Sequence, residues 1–373
     1  MKKIFRYPLL LIFCVFILSL SLANLLKPAR SFSDLENRYL AKRPNFSLKS
    51  FLNSTFSSKY ETYLNDQFVF RDGWITIKSV SESALGKTEN NGIVYGKDGY
   101  LFEKLLASDG TQLEKNLNAL KTFLQTYQGS TTVGIIPSSY EVLRSKLPAG
   151  LENVNQAEAI RRIYQEINEG SVSTLPLLDA LEKHSGEYIY YRTDHHWTTL
   201  GAYYGYETYC AEKGLEPAAL DFPSEEVGGF YGTYFSKAKL HSAQSDTITY
   251  YDIPVAEMTA DLEKKDGLYQ VEQFSKRDKY AAFLYGNHGL TVIKSEHFNN
   301  TETPKRLLVI KDSFANCLIP YLVQNYDEIT VIDLRHFSIK MSFYLDGQNF
   351  DDTLILYNYL NFSNDVNLYK LNT

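Results

Sequence analysis

The feature that most constrains the fold is an alternation of short, β-branched apolar runs with amphipathic helical patterns, beginning at about residue 112. Such runs predict buried strands, and strands that alternate with helices predict a mostly parallel sheet covered on both faces. The predicted elements are helix Leu113–Tyr127, strand Thr131–Pro137, helix Gln156–Asn168, strand Leu175–Asp179, strand Tyr188–Tyr191, a helix from Thr198, strand Arg306–Ile310, helix Phe314–Asn325, strand Ile329–Leu334 and strand Thr353–Tyr357. The sequence therefore predicts a doubly wound α/β domain over residues 112–373.

Residues 221–303 interrupt this alternation. They contain Gly228-Gly229 and short β-like runs such as Thr247–Tyr251. Turn residues between short extended runs are typical of loops and hairpins. We therefore expect an insertion over about 221–303 within the α/β domain.

The N-terminal 26 residues predict a membrane anchor. Tyr7–Leu26 contains 20 residues without a charge, and Lys2, Lys3 and Arg6 precede it. This length matches a membrane span, and the preceding positive charges predict that residues 1–6 are cytoplasmic and the rest extracytoplasmic. Ser21-Leu22-Ala23 would suit cleavage of a signal peptide, but the apolar run is longer than the usual signal core, which favours an uncleaved anchor.

Residues 27–111 predict a juxtamembrane tether followed by a helical and hairpin segment. Residues 27–60 are rich in serine and read as a tether with little packed structure, whereas Lys59–Phe68 has a helical pattern and Arg71 begins another. Tyr95–Phe102 places apolar edges on both sides of Lys-Asp-Gly, which predicts a hairpin. The predicted organisation is thus 1–26, 27–111 and 112–373.

The net charge of −6 offers no basic surface for nucleic acid, and we expect none as a partner. The cysteines Cys14, Cys210 and Cys317 lie far apart, with no spacing typical of a metal site. No cofactor is expected. Aromatic residues are dense, with 29 Tyr and 22 Phe, which suits an aromatic core and, at a cleft, stacking on carbohydrate.

Two motifs together predict nucleophilic acyl transfer. Asp194-His195-His196-Trp197 precedes a helix, and Ser313 follows a buried strand and precedes another helix. A serine there is often only a helix cap, but its hydroxyl and N–H can also serve as nucleophile and oxyanion donor. On an extended segment Asp194 and His196 point to one side, so the carboxylate can orient the ring. If the chain already turns at residue 195, His195 takes that role instead.

The Asp-His-His-Trp block resembles the signature of the DHHW family, which is similar to alginate O-acetyltransferase-type proteins with an SGNH-hydrolase-like fold. The other matching stretches are Glu36-Asn37-Arg38, Asp66–Asp72, Tyr95–Phe102 and Ile310–Phe314, so the likeness covers most of residues 31–360. The resemblance implies an extracytoplasmic, membrane-anchored O-acetyltransferase acting on a cell-surface or secreted polysaccharide, with a membrane-bound O-acyltransferase as acetyl donor. It assigns Ser313 as nucleophile, His196 as base and Asp194 as its orienting carboxylate. The glycine that precedes Asp-Ser in SGNH hydrolases is Lys311 here.

Further candidates for oxyanion or substrate contacts are Asn287, His195, Arg335 and Ser138. Asn287 lies in a turn-like Tyr-Gly-Asn-His stretch, and Arg335 and Ser138 follow predicted strands on the side of the sheet where the site is expected. Each also has a purely structural explanation.

Three other functions remain open from the sequence. The same triad would suit a carbohydrate acetyl esterase, and exclusion of water from the acyl-enzyme decides between the two reactions. A non-catalytic glycan-binding partner of a membrane acyltransferase is another alternative. Metal binding by His195 and His196 is a minor one, since no third ligand is apparent at a recognisable spacing.

Overall fold

The computed structural model describes residues 7–105, 110–151, 153–167, 172–300 and 302–373. The predicted cytoplasmic residues 1–6 and the predicted helix end at Asn168 lie outside the described residues. The chain separates into two compact units, residues 1–90 with 236–242, and residues 91–235 with 243–373. The domain boundaries predicted at residues 26 and 111 stay a prediction.

The smaller unit contains one helix long and apolar enough to cross a membrane, a test that a signal sequence also passes. The predicted tether, residues 27–60, contains two short strands, a short helix and the start of another. The elements of this unit are α1 (Pro8–Leu26), β1 (Phe32–Ser33), β2 (Arg38–Tyr39), α2 (Leu48–Leu52), α3 (Thr55–Asp66), α4 (Arg71–Ala84) and β3 (Glu89–Asn90).

An ion-pair network orders this unit. Arg38 pairs with the buried Asp66 at 2.5 Å, and Glu36 pairs with Arg71 and, at 2.7 Å, with Lys239. Burial alone would raise the pKa of Glu36, but hydrogen bonds and charge from Arg71 and Lys239 lower it to about 2. These ion pairs join Glu36 and Arg38 of the predicted tether to α3 and α4, whereas residues 45–59 are mostly exposed.

The larger unit is an α/β domain. Its strands are β4 (Ile93–Tyr95), β5 (Leu101–Glu103), β6 (Thr131–Ile136), β7 (Val172–Thr174), β8 (Ser224–Phe230), β9 (Asp246–Tyr251), β10 (Glu257–Ala260), β11 (Glu263–Lys265), β12 (Leu290–Lys294), β13 (Arg306–Lys311), β14 (Glu328–Ile332) and β15 (Asp352–Asn358). Its helices are α5 (Thr111–Thr126), α6 (Ser139–Val142), α7 (Gln156–Ile167), α8 (Leu177–Lys183), α9 (Thr199–Lys213), α10 (Thr233–Ala238), α11 (Ile319–Leu322), α12 (Met341–Leu345) and α13 (Tyr359–Asn364), of which α10 runs on into residues 236–238 of the smaller unit.

The central sheet has the strand order β11-β10-β12-β14-β13-β15-β6-β7. Strands β14, β13, β15, β6 and β7 are parallel, and β12, β10 and β11 extend the sheet in antiparallel fashion. The predicted mostly parallel sheet is thus confirmed. The predicted insertion of loops and hairpins also extends the central sheet, because it supplies the three antiparallel strands of that sheet besides the antiparallel pair β8–β9.

The sheet is buried on both faces, as a doubly wound arrangement requires. In β13, Leu308 and Ile310 join one apolar core, whereas Leu307 and Val309 join the other. This alternation follows from the two-residue period of a strand. One core includes side chains of α5, α7 and α13, and the other those of α8 and α9.

Three predicted elements are wrong. Leu175–Asp179 is not a strand: β7 ends at Thr174 and Pro176 precedes α8, in which Leu177 and Leu181 are buried four residues apart. The single helix Phe314–Asn325 is a 3₁₀ turn, Ser313–Cys317, followed by α11, because Pro320 in its first turn lacks an N–H to continue a longer helix. Tyr188–Tyr191 is not a regular strand either.

Candidate active site

The segment with the two adjacent histidines is a tight reversal of the chain. Tyr190 and Trp197 form an isolated antiparallel bridge, so the residues between them bend back rather than run straight. Helix α9 follows at once, and the Thr198 hydroxyl caps it by accepting a hydrogen bond from the Gly201 N–H at 3.2 Å. The predicted helix start is confirmed, and the reversal replaces the predicted strand.

A buried carboxylate holds this reversal in place. Asp246, in β9, accepts hydrogen bonds from the Arg192 N–H at 2.9 Å and from the Thr193 N–H at 2.8 Å. The Thr193 hydroxyl donates to it at 2.5 Å, and the Tyr188 hydroxyl donates to it as well. Because the donors come from residues 188, 192 and 193, this one carboxylate joins both the start and the middle of the segment to β9.

Asp194 is buried and uses both carboxylate oxygens. Oδ1 accepts from the His196 N–H at 3.0 Å and faces His196 Nδ1 at 2.5 Å. Oδ2 accepts from the N–H and hydroxyl of Thr233, at 2.8 and 3.1 Å. Gly232 permits this approach, since a Cβ there would lie 2.1 Å from the Asp194 Cβ. The side chain of Asp194 is therefore fixed from both sides.

His196 lies between Asp194 and Ser313. Its Nε2 is 2.9 Å from Ser313 Oγ, and its ring stacks on Tyr280 with centroids 3.8 Å apart and planes 11° apart. An Nδ1–H donated to Asp194 leaves Nε2 as the acceptor for the serine hydroxyl. The structure thus brings the three residues predicted for the triad into one hydrogen-bonded chain, and His196 rather than His195 contacts the serine.

The protonation states suit a base at neutral pH. Burial and the neighbouring His195 charge lower the pKa of His196 to about 4, despite the opposing effect of Asp194. Burial by itself would raise the pKa of Asp194, but the charges and hydrogen bonds of both histidines hold it well below its usual value. Near pH 7 the chain is therefore a carboxylate, a neutral imidazole and a serine hydroxyl.

Ser313 is 9% exposed and begins the 3₁₀ turn that follows β13. Its carbonyl accepts a hydrogen bond from the Tyr280 hydroxyl at 2.9 Å. Within the described residues its own N–H makes no hydrogen bond, as expected at the first position of a helical turn. An N–H beside the hydroxyl is where an oxyanion donor is needed.

Asp312 fixes the turn that carries Ser313. Its Oδ1 accepts from the Phe314 N–H at 2.9 Å, and its Oδ2 accepts from the Asn358 N–H and the Asn361 amide, both at 2.7 Å. Burial raises the pKa of Asp312, although these donors oppose the rise. The residue is a structural part of the serine turn that the sequence analysis did not assign.

His195 is beside the triad rather than in it. Its Nδ1 lies 2.6 Å from the Thr233 hydroxyl and 3.5 Å from Asp194 Oδ1, and its ring centroid is 3.8 Å from that of His196. Burial disfavours its charged form, but the Asp194 carboxylate raises the pKa of His195. Its side chain is 28% exposed, so it is accessible to a substrate.

Asn287 and Arg335 contact a buried ion pair, Lys311 with Asp333, that directly precedes the serine turn in β13. The Lys311 ammonium donates to Asn287 Oδ1 at 2.9 Å and to Asp333 at 3.3 Å, and Arg335 binds Asp333 through two nitrogens at 2.9 and 2.6 Å. The Asn316 amide also donates to Asn287 Oδ1, at 3.2 Å. The Asn287 oxygen thus accepts two hydrogen bonds, and among the described residues its NH₂ group, on an exposed residue, has no hydrogen-bond partner.

Ser138 has a different environment. It is 2% exposed, its N–H donates to Gln156 Oε1 at 2.8 Å, and its hydroxyl accepts from the same amide at 3.1 Å. The structure does not bring it to the triad. The substrate roles predicted for Asn287, His195, Arg335 and Ser138 stay predictions.

Asp194, His195 and His196 place three potential metal-ligand atoms within 4.8 Å of one another. Ligands of a tetrahedral zinc ion with bonds of about 2.0 Å lie more than about 3 Å apart. The 2.5 Å separation between His196 Nδ1 and Asp194 Oδ1 is that of a hydrogen bond instead. The donor set therefore does not fit a metal ion in this arrangement.

Two residues of the predicted insertion contact the triad and were missed by the sequence analysis. Thr233 bonds both Asp194 and His195, and Tyr280 stacks on His196 and holds the Ser313 carbonyl. Thr233 lies in a stretch that the sequence predicts only as loops and hairpins. No local pattern marks Tyr280 among 29 tyrosines.

The family model described as "DHHW protein" matches residues 94–332, and no curated protein matches the sequence. A solved DHHW family protein from Eubacterium siraeum DSM 15702 is 24% identical, with a TM-score of 0.63 over 76% of this chain and 96% of that one. PatB1 of Bacillus cereus is also 24% identical, with a TM-score of 0.62 over 75% and 99%. Its structure with a sulfonyl adduct gives 0.61 over 75% and 97%. These likenesses show a shared fold. The family model covers more than half of this chain, so the chain belongs to the DHHW family.

Proposed function

We propose that this protein is an extracytoplasmic, membrane-anchored O-acetyltransferase that moves acetyl groups to polysaccharide hydroxyls through an acetyl-serine intermediate. The observation that carries the proposal is the hydrogen-bonded chain Asp194–His196–Ser313, with separations of 2.5 and 2.9 Å. A serine paired with a neutral imidazole that a carboxylate orients is the arrangement that activates a hydroxyl for acyl transfer.

In the first step Ser313 Oγ attacks the acetyl carbonyl carbon of the donor, and the hydroxyl proton passes to His196 Nε2. A C–O bond forms and the carbonyl oxygen takes the negative charge. Collapse of this intermediate breaks the bond to the donor's leaving group, which receives the proton from Nε2. The products are acetyl-Ser313, a neutral His196 and the released donor alcohol or thiol.

In the second step a sugar hydroxyl attacks the acetyl-serine. His196 Nε2 takes the proton of that hydroxyl and returns it to Ser313 Oγ as the ester bond to serine breaks. Asp194 stabilises the imidazolium that exists between these events, and it keeps Nε2 directed at the serine. Water in place of the sugar would make the protein an esterase.

The Ser313 N–H is the first donor that we assign to the oxyanion, because it adjoins the nucleophile and has no acceptor among the described residues. The NH₂ group of Asn287 is the second, because the Lys311 and Asn316 bonds to Oδ1 fix the amide plane and leave this donor unused. Preorganised donors of this kind act without reorganising during the reaction.

The remaining parts of the proposal rest on the resemblance and on α1. The likeness to alginate O-acetyltransferase-type proteins supports an SGNH-hydrolase-like fold, a polysaccharide acceptor and a membrane-bound O-acyltransferase as donor. Helix α1 is 19 residues long and none of its residues is buried, which supports anchoring with the rest of the chain outside the membrane.

Intact-mass measurement after incubation with an activated acetyl ester tests the chemistry. We expect an acetyl adduct that peptide mapping places on Ser313 and that a glycan oligomer discharges faster than water does. A sulfonyl fluoride is a second probe, suggested by the sulfonyl adduct in the PatB1 structure. Ser313→Ala should give neither adduct.

Ser138→Ala is the matched control, since it removes another serine at the end of a central strand and should leave both adducts unchanged. Discharge to water regardless of glycan would establish an esterase. No adduct on the wild type with either probe would reject the acyl-enzyme and favour a non-catalytic glycan-binding role.

A further inference from the structure

The end of α1 is joined by specific bonds to the corner between α3 and α4. The Asn24 side chain accepts a hydrogen bond from the Val69 N–H at 3.1 Å, and the Lys27 ammonium donates to the Phe68 carbonyl at 3.4 Å. Arg30 exchanges two backbone–side chain hydrogen bonds of 2.8 Å with Gln67. Residues 67–69 are therefore fixed beside the last turn of the apolar helix.

If α1 crosses the membrane, its length determines the depth of residues 67–69 relative to the bilayer. Nineteen residues at the rise of an α-helix span about 28 Å, close to the ~30 Å hydrocarbon thickness of a bilayer. Asn24 and Lys27 then lie where hydrocarbon gives way to headgroups. Since residues 67–69 bond to these two, the start of α4 lies in the same layer.

Helix α4 exposes an apolar side at this position. Phe70, Trp74, Ile77, Val80 and Leu85 are 69, 39, 58, 45 and 88% exposed. At 100° per residue these five side chains share one side of the helix with uncharged small residues, and every charged residue of α4 lies outside it. A helix of a water-soluble protein normally turns such a side inward.

The opposite side of α4 is the packed one. It carries Ser79, which is buried and accepts a hydrogen bond from the His241 N–H at 3.0 Å. Phe70, at the N-cap, has a left-handed φ of 55°, a conformation that a bulky residue rarely adopts, and its ring is among the more exposed. The helix thus buries a polar side chain and presents aromatic and aliphatic ones.

We infer that Phe70, Trp74, Ile77, Val80 and Leu85 form a lipid-contacting side, by which α4 rests in the interfacial layer of the membrane that α1 crosses. Aromatic side chains favour the interface, and an amphipathic helix there buries its apolar side among headgroups and upper acyl chains. Lys78 borders this side with a side chain that is 64% exposed, and its ammonium lies 3.8 Å from the Glu82 carboxylate. The inference rests on the anchoring part of the proposed function.

The two tryptophans of the chain allow a direct test. Trp74 lies on the proposed side, whereas Trp197 is fully buried and bonded to the Phe314 carbonyl. The full chain is placed in phosphatidylcholine nanodiscs whose acyl chains carry bromine either near the headgroup or near the chain end. We expect shallow bromine to quench Trp74 emission by about half and deep bromine to quench it less. Trp74→Phe, which retains Trp197, should show neither effect.

Ile77→Asp keeps Trp74 but charges the centre of the lipid-contacting side. We expect it to remain in the nanodisc through α1, to lose most of the shallow quenching and to keep acylation of Ser313. Circular dichroism of both variants verifies folding.

Full-chain protein that stays in the nanodisc with unquenched Trp74 would overturn the lipid contact and leave α1 as an anchor. Protein that fails to stay with lipid would instead reject the anchor itself. Shielding of Trp74 only when a membrane acyltransferase is added would assign this side of α4 to that protein, which also overturns the lipid contact.

Discussion

The carboxyl ends of β13 and β6 are alike in position and different in chemistry. Both strands are parallel, buried and separated only by β15, and each is followed, after one intervening residue, by a serine at the start of a short helical turn. Ser313 Oγ lies 2.9 Å from His196 Nε2, whereas Ser138 Oγ lies 3.1 Å from the Gln156 amide. Each strand end carries a buried serine, but only the Ser313 hydroxyl lies within hydrogen-bond distance of a base.

The residues before each serine differ in the same way. Ile136 and Pro137 precede Ser138, whereas Lys311 and Asp312 precede Ser313. Lys311 is buried with partners Asn287 and Asp333, and desolvation lowers the pKa of its ammonium to about 8. Burying charges is costly unless partners offset the loss of water. The β13 end has this costly charged cluster, whereas the β6 end has an apolar pair. The difference indicates that the β13 end is the functional one, at some expense in stability.

Asp194→Asn should have the largest effect on the difference between the two strand ends. It removes the carboxylate that orients His196 beside Ser313, and Ser138 has no such base. An amide favours the wrong imidazole tautomer, so Nε2 no longer accepts the serine proton. We expect kcat for acetyl transfer to fall by about 10³–10⁴ with unchanged thermal stability within a few degrees. The measurement is turnover of an activated acetyl ester.

Gln156→Leu is the matched change at the β6 end and should leave kcat within about threefold. Equal losses of activity in the two variants would show that the β6 end takes part in the reaction.

Lys311→Met tests whether the charged cluster at the β13 end contributes to the free energy of unfolding. It leaves Asp333 paired with Arg335 and removes one of the two donors that orient Asn287, the other being the Asn316 amide. We expect the free energy of unfolding to fall by about 2 kcal/mol, less than for a fully orphaned charge because Arg335 remains. We also expect kcat to fall by about tenfold as the Asn287 amide loses its orientation.

Ile136→Met, a similar change two residues before Ser138, should cost about 1 kcal/mol and no activity. Urea unfolding and ester turnover measure both variants. The argument for a costly polar cluster fails if Lys311→Met is as stable as the wild type and as active.

His195→Gln tests the electrostatics of the Ser313 end. His196 must be neutral to act as base, so kcat/KM should rise with pH through its pKa of about 4 and level off above. The protonated neighbour His195 is one cause of that low value. Removing its charge lets His196 hold a proton to higher pH, so the acidic limb should move upward by up to about one pH unit. A limb that stays in place or moves downward contradicts this assignment.

The sequence was sufficient for the parts of the site that local patterns encode. Ser313 follows a strand that the four consecutive apolar residues 307–310 predict, and Asp194 lies two residues from His196. The segment bends where the sequence predicts an extended one. In the bent segment Asp194 Oδ1 accepts a hydrogen bond from the His196 N–H and also faces His196 Nδ1. The pairing of Asp194 with His196 was therefore predicted correctly from their spacing, although the predicted local structure was wrong.

Contacts made by distant segments were beyond the sequence. Thr233 and Tyr280 reach the triad from the predicted insertion, and Asp246 fixes the reversal from β9. None has a recognisable local pattern, since a threonine, a tyrosine or a buried carboxylate acquires its role only from tertiary packing. The wrong prediction of a strand at Leu175–Asp179 has a local cause. A short apolar run does not distinguish a strand from a buried helix, and here Pro176 directly precedes α8.

Ser138→Ala is expected to have the smallest effect, and it shows what the second serine contributes. The Ser138 N–H still donates to Gln156 Oε1, but the buried Gln156 NH₂ loses the hydroxyl that accepted one of its hydrogens. A buried donor left without an acceptor costs about 1–2 kcal/mol, and urea unfolding should show a loss of that size at unchanged m. Adding Gln156→Leu removes the orphaned amide, so the double variant should be less destabilised than the sum of the single ones. Additive losses would mean that the two side chains act independently, and that the β6 end holds its serine for a reason other than this bond.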